Sequence, residues 1–327
     1  MPVQLFTIAR NTFIESLRQP VLLILVLACG ILQVFNTWSA GFAMGQTEAA
    51  EVEGDNKLLL DIGLATVFVL ATLAAAFLST SALSREIENK TVLTIVSKPV
   101  SRTMLILGKY LGVSGAIAMA IVPMLVALLW GIRHGVMSTA ADTLDQPVLT
   151  FSLAALGLSL LAGAWANYFY GWSFPQVALS LLVPLSVVGF AMTLAFNRSW
   201  EPQPILTDLK PKITLACLTL TLAVFVLTAV AIAASTRLGQ VMTIVVCVGV
   251  FIASLLSNYF VGRYAFQNQV IGEIAQAQAA SSLETAFDTP GQTFNLVLKN
   301  PPSLPLTPGT PFFYGPNPSG FDLSVPA

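Results

Sequence analysis

The chain has 327 residues, of which 55% are hydrophobic and only 9% charged, and its formal net charge is −1. An ordinary soluble domain carries about 25% charged residues, so this chain could not cover its surface with charge in water. The composition excludes a soluble globular enzyme, a disordered protein and a nucleic-acid binder, which needs a strongly basic face. We therefore predict an all-α polytopic bundle whose main solvent is the lipid bilayer.

The N-terminal segment, residues 1–20, is predicted to form an amphipathic elbow helix on the cytoplasmic leaflet, ended by Pro20. Polar residues recur at three- and four-residue steps on one face, and apolar residues on another. The alternative is a signal peptide with Leu27-Ala28-Cys29-Gly30 as a lipoprotein box, but the apolar run continues past Cys29. The two faces are Gln4, Thr7, Asn11, Glu15 and Arg18, and Phe6, Ala9, Phe13 and Leu17.

A transmembrane domain is expected over residues 21–261, because seven apolar windows there each reach the length of about 20 residues that a membrane helix needs. Tryptophans lie toward several window ends, where indole rings favour the lipid headgroups. Only one charged residue, Asp61, falls inside a window. The windows are Val21–Met44, Leu58–Leu83, Tyr110–Gly131, Val148–Tyr170, Phe174–Phe196, Ile213–Ser235 and Val241–Val261.

The distribution of Lys and Arg predicts the orientation, because cytoplasmic connections carry an excess of these residues. With the N-terminus inside, the inside segments hold eight of the 15 basic residues and three of the 16 acidic ones, a net charge of +5. The outside segments then hold seven basic and thirteen acidic residues, a net charge of −6. We expect a cytoplasmic N-terminus and, after seven spans, an extracytoplasmic C-terminus.

The tail, residues 262–327, differs from the rest. Residues 264–283 could form one helix rich in Ala and Gln. From Pro290 onward nine prolines fall in 38 residues, a pattern typical of extended or irregular chain. We expect an extracytoplasmic, Pro-rich tail.

No residue pattern indicates catalysis or a metal site. Cys29, Cys217 and Cys247 lie in long apolar runs at spacings unlike those of zinc or haem sites, and His134 is the one histidine. We expect the cysteines to be packing residues, and we expect no catalytic residue, no metal and no cofactor.

The sequence also lacks an energy source of its own. Gly108-Lys109 is followed by Tyr110 and lacks the glycine five positions before Gly108 that a Walker A phosphate loop requires. The span centres carry no ionisable group of the kind that ion-coupled carriers use, which argues against such a carrier. A transporter of this composition therefore needs energy from a partner.

Residues 84–109 carry the most information. A mixed-charge stub leaves the second span, and a short apolar segment around Val92, Leu93 and Ile95 follows, too short to span and too apolar to lie free in water. Pro99 is expected to stop this segment, and residues 100–102 to begin the next helix. Lys109 can extend back to the interface from the base of the third span. The charges and hydrophobicity of residues 84–109, taken by themselves, indicate a basic cytoplasmic loop that contains a helix at the membrane interface.

The loop resembles the second-to-third-span loop of the ABC-2 type permease family. The order Arg-Glu, Glu-x-x-Thr, four apolar residues, Ser-Lys-Pro-Val-Ser-Arg and Leu-Gly-Lys-Tyr extends over residues 85–110. The turn Ser235-Thr236-Arg237 and the elbow before the first span are also similar to that family. Its members are membrane subunits of ATP-driven exporters and, in one branch, of systems linked to multi-copper enzyme maturation. Members usually close with one more span, so here that helix is missing or the sequence is truncated.

The resemblance implies that the loop contains a coupling helix that docks on a separate ABC ATPase subunit. It further implies a bacterial cytoplasmic (inner) membrane location and a homo- or heterodimer of permease subunits. The chain itself would then not be an enzyme. Asn89-Lys90 departs from the glycine that many relatives have before the threonine. The residues that would form the coupling interface are Arg85, Glu86, Glu88, Thr91, Val92, Leu93, Ile95, Lys98, Pro99 and Arg102.

Two further alternatives stay open. Gly108, Gly112 and Gly115 form a strip of small residues that allows close helix packing, either within one subunit or across a dimer. The permease could instead be a non-transporting scaffold for envelope enzyme assembly that uses its tail for docking. The favoured interpretation is a permease subunit of an ABC-2 type exporter.

Overall fold

The computed structural model divides the chain into two compact units, Met1–Ile252 and Ala253–Ala327. Helices make up most of the described chain, and strands occur in the second unit. The described residues are 2–39, 48–88, 101–136, 144–208, 210–257, 259–260, 272, 274–279 and 294–302.

Eight helices are present in the described residues, and seven of them, all but the first, contain stretches long and apolar enough to cross a membrane. This confirms the predicted all-α polytopic bundle of about seven spans. In chain order the helices are α1 (Pro2–Leu17), α2 (Pro20–Ser39), α3 (Glu48–Glu88), α4 (Arg102–His134), α5 (Gln146–Tyr170), α6 (Phe174–Ala195), α7 (Pro211–Ser235) and α8 (Gln240–Ser257).

Two helices begin well before their predicted windows, because α3 begins at Glu48 rather than Leu58 and the third span also begins earlier than predicted. Helix α4 begins at Arg102, about two helical turns before the predicted start at Tyr110. The prediction was too short because the window was ended at the charge of Lys109, although Met104–Leu107 before it are apolar. Helix α3 likewise continues through the charged stub as far as Glu88.

Consecutive spans run in opposite directions, so their ends lie on two sides of the bundle. We call the side that holds the end of α3 and the start of α4 the loop side. The α1–α2 junction and the α5–α6 turn lie on this side as well. The opposite side, which holds the end of α4 and the start of α5, is called the far side.

Helix α4 is the central helix of the first unit, because it contacts each of the helices α1, α2, α3, α5, α6 and α7. Its core residues follow each other at three- and four-residue steps along one stripe, and alanines of α3 face them, which lets the two helices pack closely. The core residues of α4 are Val113, Ala116, Ile117, Ala120, Ile121, Met124 and Leu128, and the alanines are Ala71, Ala74, Ala75 and Ala82.

Two amide side chains link α2 to α3. Gln33 Nε2 donates a hydrogen bond to the Gly63 carbonyl, and Asn36 Nδ2 donates one to the Leu59 carbonyl, both at 2.9 Å. All four residues lie within spans, where water is scarce and interhelical hydrogen bonds hold helices together. These two amides therefore serve to pair α2 with α3.

The first helix has the polar face that the sequence predicted, and only part of its apolar face is buried against the bundle. Gln4, Asn11 and Glu15 are exposed and Leu17 is buried, whereas Phe6 is 72% exposed. The reason is that α1 turns the face around Ile8 and Thr12 toward α4, and Phe6 lies to one side of that contact. The location of α1 at a membrane surface stays a prediction.

The second unit contains a two-stranded antiparallel ribbon of β1 (Ile274–Ala279) and β2 (Phe294–Leu298). Ile274 pairs with Leu298 and Ala279 with Phe294. The predicted helix over residues 264–283 is therefore wrong at β1. Ala and Gln favour a helix, but a helix of this length is marginal alone, and pairing with a strand that contains Phe294 and Val297 satisfies the backbone instead.

Candidate functional site

The loop selected by the sequence joins α3 to α4, and the structure describes both of its ends. The backbone of Arg85, Glu86 and Glu88 belongs to α3, and Arg102 is the first residue of α4. The part between them, residues 89–100, lies outside the described residues. The predicted interface residues within that part are Thr91, Val92, Leu93, Ile95, Lys98 and Pro99.

The end of the loop is fixed by a helix cap. Ser101 has extended backbone angles, φ −70° and ψ 145°, and its side-chain oxygen accepts a hydrogen bond from the Met104 backbone N–H at 3.3 Å. A serine in this position satisfies one of the N–H groups that the first turn of a helix leaves unpaired. The predicted start of a helix within residues 100–102 is thereby confirmed.

A buried lysine ties the two ends of the loop together. Lys109, about two turns after the first residue of α4, is only 3% exposed, and its Nζ donates a hydrogen bond to the Ala82 carbonyl of α3. The prediction that Lys109 extends to the interface is wrong, because α1 covers this part of α4. The ammonium group instead lies inside the bundle, where the Ala82 carbonyl accepts its hydrogen bond.

The predicted glycine strip lies against α1. A Cβ atom on Gly112 would lie 2.5 Å from the Ala9 carbonyl oxygen and 2.7 Å from Thr12 Cβ, and one on Gly108 would lie 2.7 Å from Ile8 Cγ2. The helices can approach this closely only because these side chains are absent. Gly115 faces the ring of Phe13 in the same way, 3.2 Å from Phe13 Cδ2.

These contacts give the glycine strip a partner within its own chain. They place the backbones of α1 and α4 in direct contact in the first turns of α4, next to the loop. A dimer contact through Gly108, Gly112 and Gly115 stays a prediction. Such a contact would require the second subunit to bind this face of α4 beside α1, or α1 to move away from it.

The α1–α2 junction is attached to two other helices on the loop side. Gln19 Nε2 donates a hydrogen bond to Ser81 Oγ of α3, and Arg18 Nε donates one to Gln176 Oε1 of α6 at 3.0 Å. Ser173, which precedes α6, donates to the same Gln176 oxygen at 3.0 Å. A displacement of α3 or α4 at the loop would therefore reach α1, α2 and α6.

Sequence reasoning missed these junction residues because each is an ordinary polar residue at a helix end. Gln19 and Ser81 are separated by 62 positions, and no local pattern indicates that they meet. The sequence indicated only that Gln19 and Ser81 lie on the same side of the membrane, because both are next to basic connections. The far-side ion pairs of Arg133 and Asp145 were missed for the same reason.

In the described part of the chain, no three His, Cys, Asp or Glu side chains are close enough to share a metal ion. Cys29, Cys217 and Cys247 are buried and unbridged. The site consists of α3 and α4, joined by the hydrogen bond from Lys109 to Ala82, with α4 packed closely against α1.

These features define a multi-pass α-helical membrane protein. A hydrogen bond joins its second and third spans next to the loop that connects them. The chain from residue 6 to residue 169, half of its length, matches the family model described as ABC-2 family transporter protein, and it belongs to that family. It is thus a permease, the membrane-spanning component of a transport system. A comparison with curated proteins gave no match. The link to multi-copper enzyme maturation stays a prediction.

Proposed function

We propose that this protein is the permease subunit of an ABC-2 type exporter, in which a separate ATPase subunit hydrolyses ATP. The observation that carries the proposal is the family match over α1 to α5, which includes the whole of residues 84–109. The absence of a Walker A sequence from the chain agrees with an ATPase on another subunit.

The coupling site in this proposal is the loop between α3 and α4. The ATPase would dock on the ridge of Val92, Leu93 and Ile95, with Glu86 and Glu88 before it and Lys98, Pro99 and Arg102 after it. Force on the loop would pass to α3 and α4 together, because Lys109 joins them. The contact of Gly112 with α1 would carry the movement on to the first helix.

The proposal places the loop side in the cytoplasm and the protein in a bacterial inner membrane. The excess of Lys and Arg on the loop side supports this orientation. In the same arrangement α1 lies along the cytoplasmic leaflet as an elbow helix, with exposed Gln4, Asn11 and Glu15 toward water. Two permease subunits, alike or different, would enclose the transport path.

The test is association with the ABC ATPase subunits encoded in the same genome. Each is co-expressed with the permease, and the ATPase that co-purifies with the permease is measured for the wild type and for two double variants. Glu86→Ala with Leu93→Ala removes one acid and one apolar side chain from the loop. Glu201→Ala with Leu206→Ala removes the same types from the far side, where both residues are exposed.

We expect the loop variant to lose most of the ATPase and the far-side variant to retain it. Vanadate-sensitive ATP hydrolysis in the purified complex should fall in parallel. Equal retention by both variants would remove the coupling role from residues 84–102. Failure of the wild type to bind the ATPase would overturn the proposed function as a whole.

A further inference from the structure

The turn between α5 and α6 exposes large aromatic side chains on the loop side. We call residues 168–173 the aromatic turn. Tyr168, Tyr170 and Trp172 are 83%, 66% and 60% exposed. From residue 146 to residue 197 the chain carries no charged residue, so neither the turn nor its two helices offer a charge of their own to water. A group of exposed rings on an uncharged hairpin is typical of a contact surface.

Backbone groups of the aromatic turn are paired by the turn itself. Helix α5 ends at Gly171, which has the left-handed φ of 65°. The Gly171 and Trp172 N–H groups donate to the carbonyls of Asn167 and Ala166, at 3.1 and 3.3 Å. Asn167 Nδ2 in turn donates to the Trp172 carbonyl at 2.7 Å. Groups that are paired in this way do not need water, so the turn can lie among lipids.

The helix lengths place the aromatic turn in the headgroup layer. Helix α5 has 25 residues and α6 has 22, so they are about 37 Å and 33 Å long. The hydrocarbon core is about 30 Å thick, and the membrane with its headgroups is about 40–45 Å thick. This hairpin therefore crosses the core and ends among the headgroups. By contrast α4, with 33 residues or about 50 Å, is longer than the whole membrane is thick.

An arginine is held beside the aromatic turn by a neutral amide. Arg18 Nε donates to Gln176 Oε1 at 3.0 Å, and Ser173 Oγ donates to the same oxygen at 3.0 Å. Arg18 is exposed, and among the described residues no carboxylate, including that of Glu15 one turn earlier, forms an ion pair with it. The bond to Gln176 uses Nε, so the two terminal nitrogens keep their capacity to donate, and the positive charge is not neutralised.

A phospholipid matches both parts of this surface. Its phosphate lies at the depth of the headgroups and offers the oxygen pair that a planar guanidinium binds through two parallel hydrogen bonds. The rings of Tyr170 and Trp172 have apolar faces and a polar Oη or Nε1 atom, which suits the boundary between acyl chains and headgroups. A soluble protein partner would instead be expected at a charged connection, such as residues 84–109.

We infer that the aromatic turn and Arg18 form a binding site for one phospholipid in the leaflet on the loop side. Nη1 and Nη2 of Arg18 donate to the lipid phosphate, and Tyr170 and Trp172 contact the glycerol region and the first carbons of the chains. The bound lipid joins the α1–α2 junction to the α5–α6 hairpin, in addition to the hydrogen bond at Gln176. This site goes beyond the proposed coupling to an ATPase and does not depend on it.

The first test is native mass spectrometry of the full chain in a neutral maltoside detergent. The probes are dioleoylphosphatidylethanolamine, dioleoylglycerol, which has the same chains without the phosphate, and inorganic phosphate. The wild type is compared with Arg18→Gln, which removes the guanidinium, and with Arg10→Gln. Arg10 is the matched control, because it is an exposed arginine about two helical turns away on α1.

We expect one molecule of the phosphatidylethanolamine to bind per chain. Arg18→Gln should weaken its binding about fivefold, the effect expected for one arginine at the lipid headgroups, and Arg10→Gln should leave it unchanged. Dioleoylglycerol should bind the wild type about fivefold more weakly than the phospholipid for the same reason. Inorganic phosphate should bind more weakly still, because it makes no contact with the rings.

The second test measures the depth of the aromatic turn and leaves Arg18 intact. A nitroxide is attached at Tyr170→Cys in a chain without its three native cysteines. Its collisions with oxygen and with a water-soluble nickel complex are recorded by electron paramagnetic resonance in lipid vesicles. Leu161→Cys, 70% exposed within α5, is the hydrocarbon control, and Leu206→Cys on the far side is the aqueous control. We expect the nickel accessibility of Tyr170→Cys to lie between those of the two controls.

Four results would overturn the inference. Equal binding of dioleoylglycerol and the phospholipid would remove the recognition of phosphate, and equal binding of inorganic phosphate would remove the lipid. An equal loss in Arg18→Gln and Arg10→Gln would assign the effect to general charge. Nickel accessibility at Tyr170→Cys equal to that at Leu206→Cys would place the turn in water, where a soluble protein rather than a lipid would contact it.

Discussion

The contact between α1 and α4 can be tested by adding a single methyl group. Gly112→Ala would place Cβ at 2.5 Å from the Ala9 carbonyl oxygen, 2.7 Å from Thr12 Cβ and 3.0 Å from the Phe13 backbone nitrogen. Two of these three atoms belong to the backbone of α1, so the whole helix must move. A side chain could rotate away, whereas a backbone cannot.

The expected free-energy change follows from two opposing contributions. Alanine in place of glycine in a helix gains about 0.5–1 kcal/mol. Overpacking a tight contact costs about 1–3 kcal/mol. Gly112→Ala should therefore destabilise the protein by up to about 2.5 kcal/mol. Gly157→Ala in α5 is the matched control, since a Cβ there meets no atom within 4 Å, and it should be neutral or stabilising.

The assay is unfolding by SDS in mixed micelles with neutral detergent, followed by tryptophan fluorescence. The free energy of unfolding should differ between the two variants by about 1–3 kcal/mol, with Gly112→Ala the less stable. Equal stability of the two variants would show that α1 does not rest on the glycines of α4, and the mechanical connection through α1 would then have to be abandoned.

Three further predictions concern the link between the helices and the function. Lys109→Met should lower permease-stimulated ATP hydrolysis while the amount of co-purified ATPase stays unchanged, because α3 and α4 are no longer tied at Ala82; unchanged stimulation would contradict this role. Gln33→Leu should destabilise the protein to SDS by about 1 kcal/mol, the usual size of an interhelical hydrogen bond in membranes, and an unchanged unfolding curve would refute the pairing of α2 with α3. Deletion of residues 303–327 should leave ATPase co-purification intact, whereas a scaffold that docks through its tail would lose its envelope partner.

The spans could be predicted from the sequence because hydrophobic length is a local property. Each of the seven helices overlaps its apolar window, and the predicted start of α4 was too late because Lys109 was treated as a boundary. A lysine can lie inside a bundle if a carbonyl accepts its hydrogen bond, and the sequence does not show that Ala82 is within reach. The end of the preceding loop was predictable because a helix cap such as Ser101 acts locally.

The contacts between distant helices could not be predicted in the same way. The glycine strip of α4 indicated a close approach, but only the structure identifies α1 as the helix that makes it. On the far side, Arg133 contacts Asp145 and the Phe196 carbonyl, which come from separate parts of the chain. The strand at Ile274–Ala279 was missed because its composition favours a helix and its pairing partner lies fifteen or more positions away.

The central claim is that the loop between α3 and α4 faces the cytosol, where an ATPase can reach it. Labelling of Lys90→Cys with a membrane-impermeant maleimide tests this most directly, in a background where Cys29, Cys217 and Cys247 are replaced. Leu206→Cys, 78% exposed on the far side, is the control. We predict that intact cells label only Leu206→Cys and that inverted membrane vesicles label only Lys90→Cys. Labelling of Lys90→Cys in intact cells would contradict the account.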